Sequence, residues 1–300
     1  MNAGKLDPRR HVYRDDLAAA SLKDKVQAQR YVQGELRQVA GAIAPVRLVP
    51  RFDAPLLTEG LHGERATVYE VTEGWAWVQL ENDGYVGYMP MDNLSAIIDE
   101  PTHWVSARGT FVYPAPELKR PPIMRLSCNS KVTVVGREGR FAELSRGGFI
   151  FMGHLMPLEE KAKDFVRLAE RLIGAPYLWG GRSGIGIDCS GLVQLSMQGA
   201  GMVCPRDTDM QEDEIGTKLP GNTLDKLRRG DLIFWRGHVG VMQSSELLIH
   251  ASGHQMEVVV EPVARAVERI AETHGDITSI KRIEKLKLEA PAQQKQLPSQ

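Results

Sequence analysis

Cys189, His238 and His250 are the side chains of this sequence best suited to nucleophilic chemistry. A thiolate attacks carbonyl carbon, and it needs an imidazole that takes its proton and later protonates the leaving group. Cys189 follows Asp188 in the run APYLWGGRSGIGIDCSGLVQ, residues 175–194. Asp188 is suited to cap a helix that begins at the cysteine. A helix N-terminus carries partial positive charge, which favours thiolate over thiol. Its first-turn N–H groups lack helical partners and can hold an oxyanion. Ser190 and Gly191 are small and leave room for a carbonyl beside the sulfur. His238 opens a β-prone run in GDLIFWRGHVGVM, and His250 closes the next one in LLIHASG. In an antiparallel pair those two ends adjoin, so His250 can orient the ring of His238. Asp231, in RGDLIFW, is a rival third member, although a Gly-Asp pair before a strand more often makes a turn.

Other chemistries fit less well. Cys189 could be a buried small hydrophobe and His250 a hydrogen-bonded core histidine. Zinc would draw on Cys189, His238, His250 and His254, but the sequence has no H-E-x-x-H or C-x-x-C pair. No metal or other cofactor is implied. The GGRSGIG loop, residues 180–186, lacks the G-K-[ST] ending of a nucleotide-binding loop. Cys128 and Cys204 are expected to be inert, and Trp75, Trp77, Trp104 and Trp179 to serve packing.

The elements that must position these groups follow from texture. Glu159–Ile173 has a helical apolar period, and a helix from about Cys189 to Ala200 follows the Gly-rich loop. Closely spaced strands come next, at Leu232–Trp235, His238–Gln243, Leu247–Ala251 and Met256–Glu261, then a helix at Val263–Glu272 and a strand at Ile277–Ile283. A helix carrying the cysteine before an antiparallel sheet carrying the histidines is an α+β arrangement. Upstream, short β-prone runs occupy residues 46–94. Their order is partly repeated: EGWAWVQL at 73–80 parallels EGRFAEL at 138–144. Thr67-Val68 or Thr133-Val134 precedes each copy, and a Gly-aromatic strand follows each. Two copies of a small β-barrel explain this. Residues 14–40, rich in Ala, Leu, Gln and charge without proline, are expected to be helical. The expected division is a helical arm at 1–44, β-barrels at 45–98 and 99–157, the α+β domain at 158–287, and a disordered tail at 288–300.

Bulk properties narrow the class. The formal net charge of −1 over 300 residues, without a Lys/Arg run, offers nothing to nucleic acid. No stretch approaches the ~20 apolar residues that span a bilayer. MNAGKLDPRRHVYRDDL has no apolar h-region. Three cysteines without a C-x-x-C pair fit a reducing compartment, so the expected location is the cytoplasm.

DCSG, GHVGV and LIHAS, in this order and spacing, resemble the NlpC-type cysteine peptidases over residues 160–285. Those enzymes cleave peptidoglycan peptides with a Cys-His-His triad on a reduced papain-like core. The resemblance implies Cys189 as nucleophile, His238 as base, His250 as orienting residue, and Tyr177 of PYLWGG near the oxyanion. The β-modules resemble bacterial SH3 domains. Two of them before such a core are similar to the γ-D-glutamyl-L-diamino acid endopeptidases of dipeptidyl-peptidase type. Such enzymes take L-Ala-γ-D-Glu-diamino acid peptides with a free amine. By that likeness Glu64 of LHGERATV and Tyr85 of DGYVGYM hold the amine end, with Asp188, Ser190 and Thr208 as further contacts. Thr208 stands where that group usually has serine. The implied function is a monomeric endopeptidase of murein peptide recycling, with no nucleic-acid or membrane partner. A peptide-binding protein on a decayed core would be expected to have lost Cys189 or His238. A thiol acyltransferase would favour an apolar groove.

Overall fold

The computed structural model describes residues 6–284. The tail expected to be disordered lies outside the described residues.

Residues 14–40 are not helical. They hold β1 (Leu17–Ala19), a 3₁₀ turn and β2 (Arg30–Val32), which pairs in parallel with β1. The helix-prone composition is overridden by tertiary packing. Leu17, Ala19 and Leu22 are buried against Trp77 and Val86, and the Arg14 guanidinium lies 4.2 Å from the centre of the Trp77 ring.

The first β-unit begins earlier than the change of texture at Pro45. It contains β3 (Glu35–Val39), β4 (Ile43–Arg47), β5 (Leu56–Leu61), β6 (Arg65–Thr72), β7 (Trp75–Leu80), β8 (Val86–Pro90) and β9 (Leu94–Ser95), in the sheet order β5-β4-β8-β7-β6-β3-β9. Residues 35–44 thus belong to this sheet and not to an arm. The second unit contains β10 (His103–Val105), β11 (Gly109–Tyr113), β12 (Met124–Ser127), β13 (Lys131–Val132), β14 (Val134–Glu138), β15 (Phe141–Leu144), β16 (Phe149–Phe151) and β17 (Leu155–Pro157). Its wiring copies the first. β10 pairs with β13 and β17 as β3 pairs with β6 and β9, and β11 pairs with β12 and β16 as β4 pairs with β5 and β8. A 3₁₀ turn precedes the last strand of each.

Closed barrels, however, are not what the strands form. The first unit is one open sheet, and the second is split into a five-stranded and a three-stranded sheet. In the first unit the outer strand β5 turns polar groups to the α+β domain, where the Glu59 carbonyl accepts from the Arg182 guanidinium at 3.0 Å.

The α+β domain contains α1 (Phe165–Glu170), α2 (Cys189–Gly199), α3 (Thr208–Glu214), β18 (Thr217–Lys218), β19 (Leu232–Trp235), β20 (His238–Met242), β21 (Leu247–Ser252), β22 (Glu257–Pro262), α4 (Val263–His274) and β23 (Ser279–Arg282). The sheet order is β18-β23-β19-β20-β21-β22. α2 is buried along almost its whole length, with Leu192, Val193 and Leu195 packed against Val239, Val241 and Ile249 of the sheet. Leu61 and Cys128 of the β-units join the same core, so the three parts share an apolar interior. Among the described residues no helix is long and apolar enough to cross a membrane.

Candidate active site

Cys189 is the first residue of α2, and Asp188 caps that helix by accepting from the Gly191 N–H at 2.7 Å. The same carboxylate accepts from the Gly180 N–H at 2.8 Å and from the Arg206 guanidinium at 3.0 and 2.7 Å. Arg206 also donates to Ser190 Oγ at 2.8 Å and to Thr58 Oγ1 of β5 at 3.0 Å. One buried guanidinium therefore fixes the helix cap, the residue after the cysteine and the first β-unit together. The glycines of the loop serve close approach. Gly180 has φ +78°, and a Cβ there would meet the Leu56 carbonyl oxygen at 2.4 Å. A Cβ on Gly191 would meet the Gly181 carbonyl oxygen at 2.3 Å, so its smallness makes room for the protein's own backbone and not for a substrate carbonyl.

The register of β20 and β21 places Val241 opposite Ile249 and Met242 opposite Leu248, so His238 and His250 are diagonal neighbours on one face. Their rings are 5.0 Å apart at 80°, and His238 Nε2 is joined to His250 Nδ1 at 2.8 Å. His250 Nε2 in turn meets Glu261 Oε1 at 2.8 Å, and Arg269 of α4 pairs with that carboxylate. Asp231 is elsewhere. It pairs with Arg282 at 2.6 Å and accepts from the Arg228 N–H at 2.9 Å, a turn role. The structure thus sets His250, and not Asp231, against His238.

Cys189 opens into a cleft of about 600 Å³. Tyr177, Asp188, Ser190 and Thr208 line it, as does Tyr85 of the first β-unit. Val239 and Thr208 lie close enough to the sulfur to favour its ionised form, and Val239 directly follows His238 at the start of β20. Trp179, expected to be packing, is 71% exposed on the rim of this cleft, whereas Trp75, Trp77 and Trp104 are buried.

Glu64 departs from expectation. It is buried, its carboxylate pairs with the fully buried Arg182 at 2.8 and 3.1 Å and accepts from the Leu61 N–H at 2.9 Å, and it does not line the Cys189 cleft. The carboxylate that faces the cleft near Tyr85 is Asp207, which accepts from the Tyr85 hydroxyl and from Arg9, each at 2.9 Å. Burial raises the Asp207 carboxyl above its ordinary value, against the pull of Arg206, Tyr85 and Arg9. Asp207 and Arg206 stand in CPRDT beside Thr208 and were legible there, but sequence reasoning passed over both.

The electrostatics also correct the sequence reading. Burial, and then the Asp188 charge, push the Cys189 thiol up to about 11, opposing the Val239, Thr208 and Ser190 donors. Burial pushes His238 well below its ordinary range, and His250, His274 and Arg269 add to this. The helix N-terminus does not win, because burial outweighs it and the capping carboxylate of Asp188 adds to the burial. The pair therefore rests as thiol and neutral imidazole. Iodoacetamide should label Cys189 ahead of Cys128 and Cys204, since the latter two are sealed in the interior. Its rate on Cys189 should climb about tenfold per pH unit between neutrality and pH ~10, following the thiolate fraction. A rate flat from pH ~5 upward, read by mass spectrometry, would show a preformed ion pair instead.

A thiol at the head of a buried helix, packed against the antiparallel sheet that carries two linked histidines, defines a papain-like cysteine peptidase core. Residues 174–272 match the NlpC/P60 family, and residues 46–94 match the bacterial dipeptidyl-peptidase Sh3 domain. The chain thus carries an NlpC/P60 cysteine peptidase domain preceded by a bacterial SH3 domain. It is 28% identical over 246 residues to dipeptidyl-peptidase 6 of Lysinibacillus sphaericus, covering 73% of this chain and 89% of that one. It is 26% identical over 235 residues to the gamma-D-glutamyl-L-lysine dipeptidyl-peptidase of Bacillus subtilis, covering 69% and 76%. A crystal structure of an NlpC/P60 family protein from Bacillus cereus superposes with a TM-score of 0.69 at 19% identity, covering 82% of this chain and 99% of that one. That last likeness is one of fold.

Proposed function

We propose that this chain hydrolyses the γ-D-glutamyl-L-diamino acid bond of short peptidoglycan peptides with a free N-terminal L-Ala, releasing L-Ala-D-Glu. The observation that carries this reading is the wall of the cleft. Arg9, Leu57 and Tyr85, from the N-terminal segment and the first β-unit, stand across from Cys189 in one 600 Å³ space. A volume of that size suits a small peptide, whereas a glycan-linked stem needs an open groove. The names of the relatives point to the same bond.

In this reading the Cys189 sulfur attacks the γ-carbonyl carbon while His238 Nδ1, the nitrogen not engaged with His250, takes the thiol proton. The tetrahedral oxyanion lies near Tyr177 and the first turn of α2. On collapse the C–N bond breaks and His238 returns the proton to the leaving amine. Water, deprotonated by the same imidazole, then cleaves the thioester and restores the thiol. The substrate ammonium faces Asp207, presented by Tyr85, with Asp188, Ser190 and Thr208 beside it. Asp207 takes the place that Glu64 was expected to fill.

We also read the second β-unit as an SH3-like module, because its strand wiring duplicates the first. The three cysteines are free and buried, which fits a reducing compartment and recycling in the cytoplasm. The cleft is completed within one chain, which fits a monomer.

The test is hydrolysis of L-Ala-γ-D-Glu-L-Lys and its meso-diaminopimelate counterpart, each free and N-acetylated. Acetylation should lower kcat/KM at least about a hundredfold, since it removes the charge that a half-buried carboxylate recognises. Comparable rates on both forms would overturn the amine pocket, and release of any other fragment would overturn the bond assignment.

A further inference from the structure

The hydrogen-bonded chain from the cysteine does not stop at His250. Glu261, the next-to-last residue of β22, meets His250 Nε2 at 2.8 Å, and its other close partner is Arg269, two turns into α4. Register explains why it reaches. β21 pairs with β22 so that His250 lies opposite Val259, and Glu261 is the diagonal neighbour two residues on.

A carboxylate accepts and cannot donate. Its contact with His250 therefore requires a proton on Nε2. Arg269 is the counterion of that carboxylate, and the contact asks of His250 only a single N–H. Neutral His250 then has a lone pair on Nδ1, and the 2.8 Å contact there must be filled by a proton on His238 Nε2. Neutral His238 is left with its lone pair on Nδ1, the nitrogen not engaged with His250. With His250 in the opposite tautomer, every arrow reverses and His238 carries an N–H on Nδ1, which cannot take the thiol proton.

We infer that Glu261 and Arg269 act as an opposed pair of positioning residues, the carboxylate locking both histidines in the base-competent tautomer and the guanidinium holding that carboxylate in place. The proposal rests on the peptidase reading for its kinetic consequence only, since the tautomers are properties of the free protein. Glu261 is held below the usual carboxylate range by His250 and Arg269, so it is ionised throughout the working range.

The two substitutions should move the imidazole in opposite directions. The titratable and charged groups that act on His238 are His250 from β21, His274 and Arg269 from α4 and, through His250, Glu261 from β22. Glu261→Gln removes a negative charge from this set and lets the amide donate to His250 Nε2. The limb of kcat/KM that reports the imidazole should shift to lower pH, and kcat should fall at least about tenfold with KM within about twofold. Arg269→Gln removes a positive charge, so the same limb should shift to higher pH as His238 protonates more readily. Glu261→Asp, which keeps the charge, should recover part of the loss. Long-range 1H–15N spectra of the uncomplexed enzyme should show His250 protonated at Nε2 and His238 at Nε2 in the wild type, and mixed tautomers in Glu261→Gln. Displacement of both limbs in the same direction, or an unchanged tautomer signature in Glu261→Gln, would overturn the inference. Failure of the wild type to cleave any γ-D-glutamyl peptide would instead overturn the functional reading and leave the spectra to decide this one. Far-UV circular dichroism melts of each variant separate either result from simple unfolding.

Discussion

Cys189→Ala is expected to abolish peptide hydrolysis, by on the order of 10⁴-fold or more, while the protein keeps its fold and its unfolding midpoint within about 1 kcal/mol of wild type. Nothing else near the cleft can replace the sulfur. Ser190 is next in sequence, but its hydroxyl is held between Asp188 and Arg206 and is committed to the helix cap. The other two cysteines are interior, and burial pushes Cys128 up to about 12 and Cys204 well above its ordinary value. Stability should change little because the helix start is set by the Asp188 cap and by Arg206, neither of which touches the thiol's own bonds. His238→Ala should approach the cysteine variant in severity, since groups acting as a unit are not additive. His250→Ala should cost less, because it loses the tautomer lock and not the base. Equal losses at His238 and His250, with metal found in the purified protein, would favour a zinc site. Residual turnover above about one part in a hundred in Cys189→Ala would show that another nucleophile or a water is doing the chemistry.

The parts of this site that were legible in sequence are those whose chemistry is local. The start of α2 at Cys189 follows from a capping aspartate just before it, and β19 and β20 follow from two apolar runs split by Arg236-Gly237. His250 was placed against His238 because antiparallel neighbours bring strand ends together. What was not legible depends on burial and on distant partners. The thiol was expected to be acidic from its helix position, but burial pushes it up first of all, and no spacing reveals that. Residues 14–40 have helical composition and no apolar stripe of helical period, and their apolar groups are spent on Trp77 and Val86. Glu261 is marked by nothing nearby, since its role arises from a strand register eleven residues past His250. Glu64 was misplaced because its partner, Arg182, is 118 residues away.

That misplacement leads to the other large effect. Glu64→Gln is expected to destabilise the fold by about 3–5 kcal/mol and to leave the preference for a free amine unchanged. Arg182 is 0% exposed and Glu64 3% exposed, so the pair is cut off from water. A guanidinium in that position needs acceptors on every nitrogen it can offer. It now has Glu64 at both terminal nitrogens, Gln198 Oε1 at 2.8 Å and the Glu59 carbonyl at 3.0 Å, while its Nε already lacks a partner. A glutamine amide supplies one acceptor and one donor where the carboxylate supplied two acceptors. The donor end must face either the guanidinium or the Leu61 N–H, and both are donors themselves. The charge of Arg182 is then buried without its counterion. Glu59 lies close, but burial raises its carboxyl and its oxygen is already bonded to the Arg182 N–H at 2.9 Å, so it offsets only part of the loss. Because Arg182 stands in the loop between the first β-unit and the helix cap, the damage should appear as an early loss of the interface, read as a lower denaturation midpoint by chemical denaturation followed at Trp179. At temperatures where the variant is folded, free and N-acetylated tripeptides should lose activity by the same factor, leaving their ratio as in wild type. Asp207→Asn should do the reverse, with stability nearly kept and the ratio falling toward one. If Glu64→Gln instead kept its midpoint and lost the ratio, the amine would belong to Glu64 after all, and the cleft would have to rearrange on binding to expose it.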